Sequence, residues 1–184
     1  WKFIKTNGAE EGGAAYTRGD AIILPFQKLP RDQQPASQRR LCRLIAHETA
    51  HVYTRLHPQT RAKLFARLGF EVVGPIELGE SLSTFKLTNP DGPLNDAVIQ
   101  VRGPDQSETL AAMVLYATHD RFQPAVGKNV FPYLRFGLTP VERLQDGRYR
   151  VVQMPGQPAQ VWKPAEVQGF FEQVGRNTTY ILGP

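Results

Sequence analysis

One stretch keeps a regular apolar period far longer than any other in this chain, and it limits what the remainder can fold into. Over residues 37–56, Leu41, Leu44, Ile45, Val52 and Leu56 fall along one helical stripe, the spacing of an amphipathic helix. Ser37 is the expected N-cap. The helix is expected to stop ahead of Pro58, because the residue before a proline is driven out of helical geometry. A second helix is predicted over 58–68, with Pro58 in its first turn, Leu64 and Phe65 on its apolar side and Gly69 as its stop.

Beyond Gly69 the pattern changes. The runs 70–76, 82–88, 97–102, 110–118, 130–136 and 148–154 are short, rich in Val, Ile, Phe, Tyr and Thr, and separated by turn residues. They read as strands of a mostly antiparallel sheet. A late helix is predicted from near Pro164, carrying Val167, Phe170, Phe171 and Val174, and 177–182 returns to an extended apolar run. Ahead of the long helix, the glycine-rich segment 8–19 is expected to be a loop between two short apolar runs, since it has neither a phosphate-loop lysine nor a dinucleotide fingerprint. The expected class is α+β, with the long helix and the second helix packed on a mostly antiparallel sheet and one late helix. At 184 residues a single domain over 1–184 is the expectation. The chain opens on Trp1 rather than Met, so an initiator or leader segment is expected before it, and the compartment stays open.

Charge and cysteine content narrow the partners. The net charge is +5 with 22 Lys and Arg, but the densest cluster, Arg39, Arg40 and Arg43, sits on one helical face without interleaved aromatics. That pattern is a solvated surface, and no nucleic acid is expected as partner. No run approaches the roughly 18 apolar residues of a membrane span. Cys42 is the one cysteine, which excludes a disulfide within the chain. Its place in the apolar-periodic run predicts a small buried hydrophobe.

The long helix also carries LIAHETAHV, in which His47 and His51 flank Glu48. Residues four apart on a helix lie about 40° apart around the axis and about 6 Å along it, so both imidazoles project from one face. A tetrahedral Zn²⁺ accepts two such rings at about 2.0–2.1 Å. Glu48 lies about 100° round from His47, close enough to take a proton from zinc-bound water without ligating the ion. A chance match to His-Glu-x-x-His in a chain of this length is roughly one in several hundred. Burying these polar groups without a metal would cost some kcal/mol. The site is therefore read as metal-binding, with His47 and His51 as ligands, Glu48 as catalytic base and Zn²⁺ as cofactor.

HETAH resembles the HExxH signature of zincin metallopeptidases. Through LIAHETAHVYTRLHP, RAKLFARLGF, TNPDGPLND and GFFEQVGRNTTYILGP the chain is also similar to a set of little-characterised bacterial HExxH proteins. The resemblance implies a zinc-dependent peptidase acting on a peptide or protein. It also implies a glutamate as third ligand, as in gluzincins, on a helix just after the segment corresponding to NTTYILGP.

A catalytic zinc takes three protein ligands plus water, and two residues of this chain compete with that expectation. His57 completes the metzincin spacing, but Thr54 stands where that family has its turning glycine. In a continuous helix His57 is about 9 Å further along than His51 and about 120° away. Glu172, on the late helix, could act as a glutamate ligand or be an exposed acid. Glu71, Glu77 and Glu80 read as solvated turn residues. Asn89-Pro90-Asp91-Gly92 and Asn95-Asp96 are assigned to a loop, His119-Asp120 to a turn, Tyr180 to a core strand. Asn177-Thr178-Thr179 is a glycosylation sequon with meaning only in a eukaryotic secretory setting. A zinc-dependent peptidase is the reading that results; a non-catalytic domain with a structural or lost metal site, acting as a binding module, is the alternative.

Overall fold

The computed structural model describes residues 1–92, 94–127, 131–154 and 156–176. Three short strands open the chain, β1 (Lys2–Thr6), β2 (Tyr16–Arg18) and β3 (Ala21–Pro25). They form a sheet in the order β1-β3-β2, with β1 parallel and β2 antiparallel to β3. Strand β2 lies inside the segment expected to be all loop. It exists because Gly19, at φ 59°, occupies the position a tight hairpin turn reserves for glycine, so Arg18 can pair with Ala21.

Two helices follow, α1 (Pro35–Leu56) and α2 (Pro58–Ala66). The expected Ser37 cap is corrected: Pro35 takes the first turn, where its missing N–H costs nothing. Ser37 is buried within that turn and accepts a hydrogen bond from Arg40 Nη2 at 3.0 Å. At the other end, His57 leaves helical geometry at φ −125° and ψ 74°, as its place before Pro58 requires. Helix α1 packs on the small sheet through a modest core of Ala15, Ile22, Leu24 and Val52, joined by Leu29 and Leu44. Residues 39, 42, 43, 46, 50 and 53 are exposed. Cys42 thus faces solvent rather than the core, because the apolar stripe of α1 is too narrow to reach it.

The second sheet has six strands in the order β4-β6-β7-β8-β9-β5. These are β4 (Phe70–Val72), β5 (Ile76–Glu77), β6 (Ala97–Arg102), β7 (Glu108–Ala117), β8 (Leu134–Arg143) and β9 (Tyr149–Val151). All neighbours are antiparallel except β5 and β9. Side chains alternate between two apolar faces, as a period of two requires. Ile99, Val101, Ala111, Met113 and Leu138 pack on one side with Phe70 and Phe170. Val98, Ala112, Val114, Val141 and Val151 pack on the other with Leu82.

Two expectations fail on this half. The predicted strand 82–88 is instead helix α3 (Gly79–Phe85), with only Lys86 bridging to Tyr116. Leu82 alone of residues 82–85 is buried, which is helical rather than alternating, and the Ser83 and Thr84 hydroxyls donate to the carbonyls four residues back at 2.6 and 3.0 Å. The single late helix is split into a 3₁₀ turn at Pro164–Glu166 and α4 (Phe170–Val174), because Gly169 adopts φ 85° between them. Val167, Phe170 and Val174 are nevertheless buried. Run 130–136 begins with a 3₁₀ turn at Phe131–Tyr133 before β8, and 177–182 lies outside the described residues. The class is α+β, and among the described residues no helix is long and apolar enough to cross a membrane.

Candidate metal centre

The two histidines converge. His51 Nε2 lies 3.1 Å from His47 Nε2, with ring centroids 4.7 Å apart and planes at 81°. Two ring nitrogens bound to one ion at 2.0–2.1 Å and the tetrahedral angle stand about 3.3 Å apart. The pair is thus close to the separation a shared cation sets. The same contact serves as an N–H···N hydrogen bond when one ring carries a proton on Nε2. Helix geometry alone accounts for the convergence, since the rings sit one turn apart on the side of α1 that faces the molecule.

Between them Glu48 is 2% exposed, and its Oε2 has no hydrogen-bond partner among the described residues. Burial raises its carboxyl to about 7, with the charge of Asp91 adding to the effect. His51 is 6% exposed. Burial lowers its pKa, against the pull of Asp91 and with the help of His47 and Arg55. A lowered pKa keeps the imidazole neutral near pH 7, the state that ligates a metal.

Asp91 comes from the loop assigned above to turn chemistry, and that assignment missed its placement. Its Oδ1 accepts from the Thr17 N–H at 2.6 Å and from Thr17 Oγ1 at 2.8 Å, on strand β2. Arg55 clamps the same junction. Its Nη2 donates to Thr17 Oγ1 (2.8 Å), to the Pro90 carbonyl (3.0 Å) and to the Asp91 carbonyl (3.1 Å), while Nη1 donates to the Gly19 carbonyl (2.8 Å). Arg55 lies four residues after His51 and seven after Glu48, on the same helical stripe. A cation on the stripe that carries His51 and Glu48 is the feature of the sequence that could have pointed to this junction.

The other candidate ligands do not join. His57 is exposed, its ring 4.4 Å from that of Tyr53. Glu172 is exposed on α4; Glu71, Glu77 and Glu80 are exposed as expected, but on β4, β5 and the first turn of α3 rather than in turns between elements. His119 lies in the bend just after β7, with its Nδ1 2.8 Å from Thr118 Oγ1. Tyr180 and the sequon lie outside the described residues. Among the described residues no three His, Cys, Asp or Glu side chains gather so as to hold a metal.

A cleft of about 550 Å³ opens beside His51, between the α1–α2 junction and the β4 edge of the large sheet. Thr54, Arg55 and Asp91 line it near His51, whereas His47 and Glu48 do not line it. Comparison of the chain with family models, curated proteins and solved structures finds no match.

Proposed function

We propose that this protein is a zinc-dependent hydrolase of peptide bonds, with His47 and His51 as metal ligands and Glu48 as general base. The observation that carries the reading is the convergence of two Nε2 atoms at 3.1 Å on the helix that also buries the Glu48 carboxyl with an unpartnered oxygen. The donor set suits zinc, for which two neutral imidazoles are common ligands. Among the described residues no third His, Cys, Asp or Glu side chain is gathered with the pair. Support for a peptide as substrate comes from the resemblance of His47-Glu48-Thr49-Ala50-His51 to the zincin signature.

Zinc, when bound, polarises a carbonyl and lowers the pKa of water. The protein's own groups supply the rest. His47 and His51 offer their ring nitrogens to one point, and the low pKa of His51 spares the cost of removing a proton first. Glu48, with its carboxyl near 7, is matched to taking up a proton and returning it to a leaving amine at neutral pH. Since its carboxylate is covered, the reaction requires water to reach Glu48 when substrate is bound.

Zinc affinity and peptide cleavage measured on the same preparation test the reading. His51→Ala loses both, whereas Glu48→Gln keeps zinc and loses cleavage. Cleavage that survives in Glu48→Gln, or a wild-type protein that takes up no zinc, overturns it.

A further inference from the structure

The cleft beside His51 has a composition unlike its mouth. Away from the histidine its wall is apolar, formed by Leu64, Phe65 and Leu68 on the α2 side and by Phe70, Val72 and Met113 from the large sheet. Two large apolar side chains that line it are held out toward water, Leu64 at 45% and Leu94 at 58% exposure. Exposed apolar groups lining a concave site are where a ligand gains most from covering them.

Of the charged side chains that line the cleft, Arg55, Arg61, Asp91 and Asp96 are hydrogen-bonded within the protein, while Arg67 is exposed. Arg61 and Asp96 form a two-pronged ion pair, Nη1 to Oδ2 at 2.8 Å and Nη2 to Oδ1 at 2.6 Å, and the guanidinium lies 4.4 Å over the Phe65 ring. Arg55 is occupied by the carbonyls and hydroxyl named above. A charged ligand group set against Arg55 or the Arg61–Asp96 pair would have to break one of these pairings, whereas an uncharged apolar group would not. One polar atom does lack a partner: Asn95 spends its Nδ2 on the Met113 carbonyl at 2.8 Å, while its buried Oδ1 accepts nothing among the described residues.

We infer that this cleft is a specificity pocket that takes one bulky, uncharged side chain of a peptide, of the leucine, methionine or phenylalanine class. The volume of about 550 Å³ is within the range of small-ligand sites and has room for such a side chain with its flanking amides. His51 is among the residues that line the pocket, so an occupant lies near the candidate metal centre. The inference rests on the hydrolase reading for its substrate class, but the binding it describes needs neither metal nor turnover.

The two methionines of the chain give a direct readout. Met113 lines the cleft and is 5% exposed, while Met154 is 63% exposed and does not line it. With methionine methyl groups labelled with carbon-13, the metal-free protein is titrated with N-acetyl-leucinamide, N-acetyl-phenylalaninamide, N-acetylglycinamide, N-acetyl-aspartamide and hexanoate. The Met113 signal is expected to move with the first two while Met154 stays, and glycinamide is expected to bind at least about tenfold more weakly, as burial of a large aliphatic side chain implies. Leu64→Asp with Leu94→Asp, both exposed positions, should weaken leucinamide binding by about fivefold or more and leave the unliganded methyl spectrum native. No movement of Met113 up to the solubility limit, equal binding of glycinamide, or preference for aspartamide overturns the pocket. Stronger binding of hexanoate than of the amides overturns the peptide assignment. Binding as expected without any peptide cleavage would sink the hydrolase reading and leave the pocket standing; cleavage without preference for bulky apolar residues would do the reverse.

Discussion

The two sheets of this protein bury different things. The six-stranded sheet covers both faces with hydrocarbon, and its buried clusters hold Ile99, Leu138, Phe170, Val98 and Val114 at no more than 1% exposure. The three-stranded sheet offers α1 only a small apolar core, and beside it the same helix buries Glu48 and His51. The first region buries mainly hydrocarbon. The other accepts an unpartnered carboxylate oxygen and a neutralised imidazole, both of which cost folding free energy, a cost that the proposed function would account for.

The strongest way to break this contrast is Glu48→Gln. A general base contributes about 10²–10⁴-fold to rate, so peptide cleavage should fall by at least two orders of magnitude with zinc content unchanged. If the polar region is instead only structural, there will be no cleavage to lose and the substitution will register in stability alone.

Next in size is Phe170→Ala. Phe170 is fully buried and joins α4 to Phe70 and Phe136, so unfolding by urea should show a loss of about 3–5 kcal/mol. Zinc affinity of the folded fraction should not move, since Phe170 packs in the large-sheet core. A matched fall in zinc affinity would show the two regions to be energetically inseparable.

The pH dependence of stability sharpens the comparison further. Glu48 has a raised pKa when folded, so its favourable contribution is complete below about 4.5 and is lost as pH rises through about 7. In metal-free protein the wild type should therefore lose stability relative to Glu48→Gln by about 1.4 kcal/mol per pH unit across that window. Urea midpoints of the two proteins at four or five pH values measure this. A constant difference would mean that Glu48 is not desolvated.

Asp91→Asn is expected to have the smallest effect. The amide keeps an oxygen for the Thr17 N–H and hydroxyl but removes the charge, so the pH at which Glu48 titrates should fall by less than about one unit. NMR titration of the Glu48 carboxyl carbon reads it. An unchanged titration would remove Asp91 from the electrostatics of the site.

These effects differ in how far they could be foreseen. The pairing of His47 with His51 was legible because i and i+4 positions meet on any helix. The alternation over 97–102 was legible for the same local reason, and β6 has those bounds. Residues 82–88 were not, because Leu-Ser-Thr-Phe satisfies both helix and strand. Its burial against the large sheet, through Leu82, decided the matter. Cys42 was misread because a periodic stripe shows which residues share a face but not how wide a surface covers it.

The amino-acid sequence by itself determined the helix, the direction of its two imidazoles and the carboxylate between them, since each follows from backbone geometry within one turn. Only the tertiary structure decided that Glu48 loses its water, that Asp91 arrives beside it through Thr17 and Arg55, and that an apolar cleft opens beside His51. Those features depend on residues more than thirty positions apart. Solvation and long-range charge are properties of what packs against a residue, and no local period encodes them.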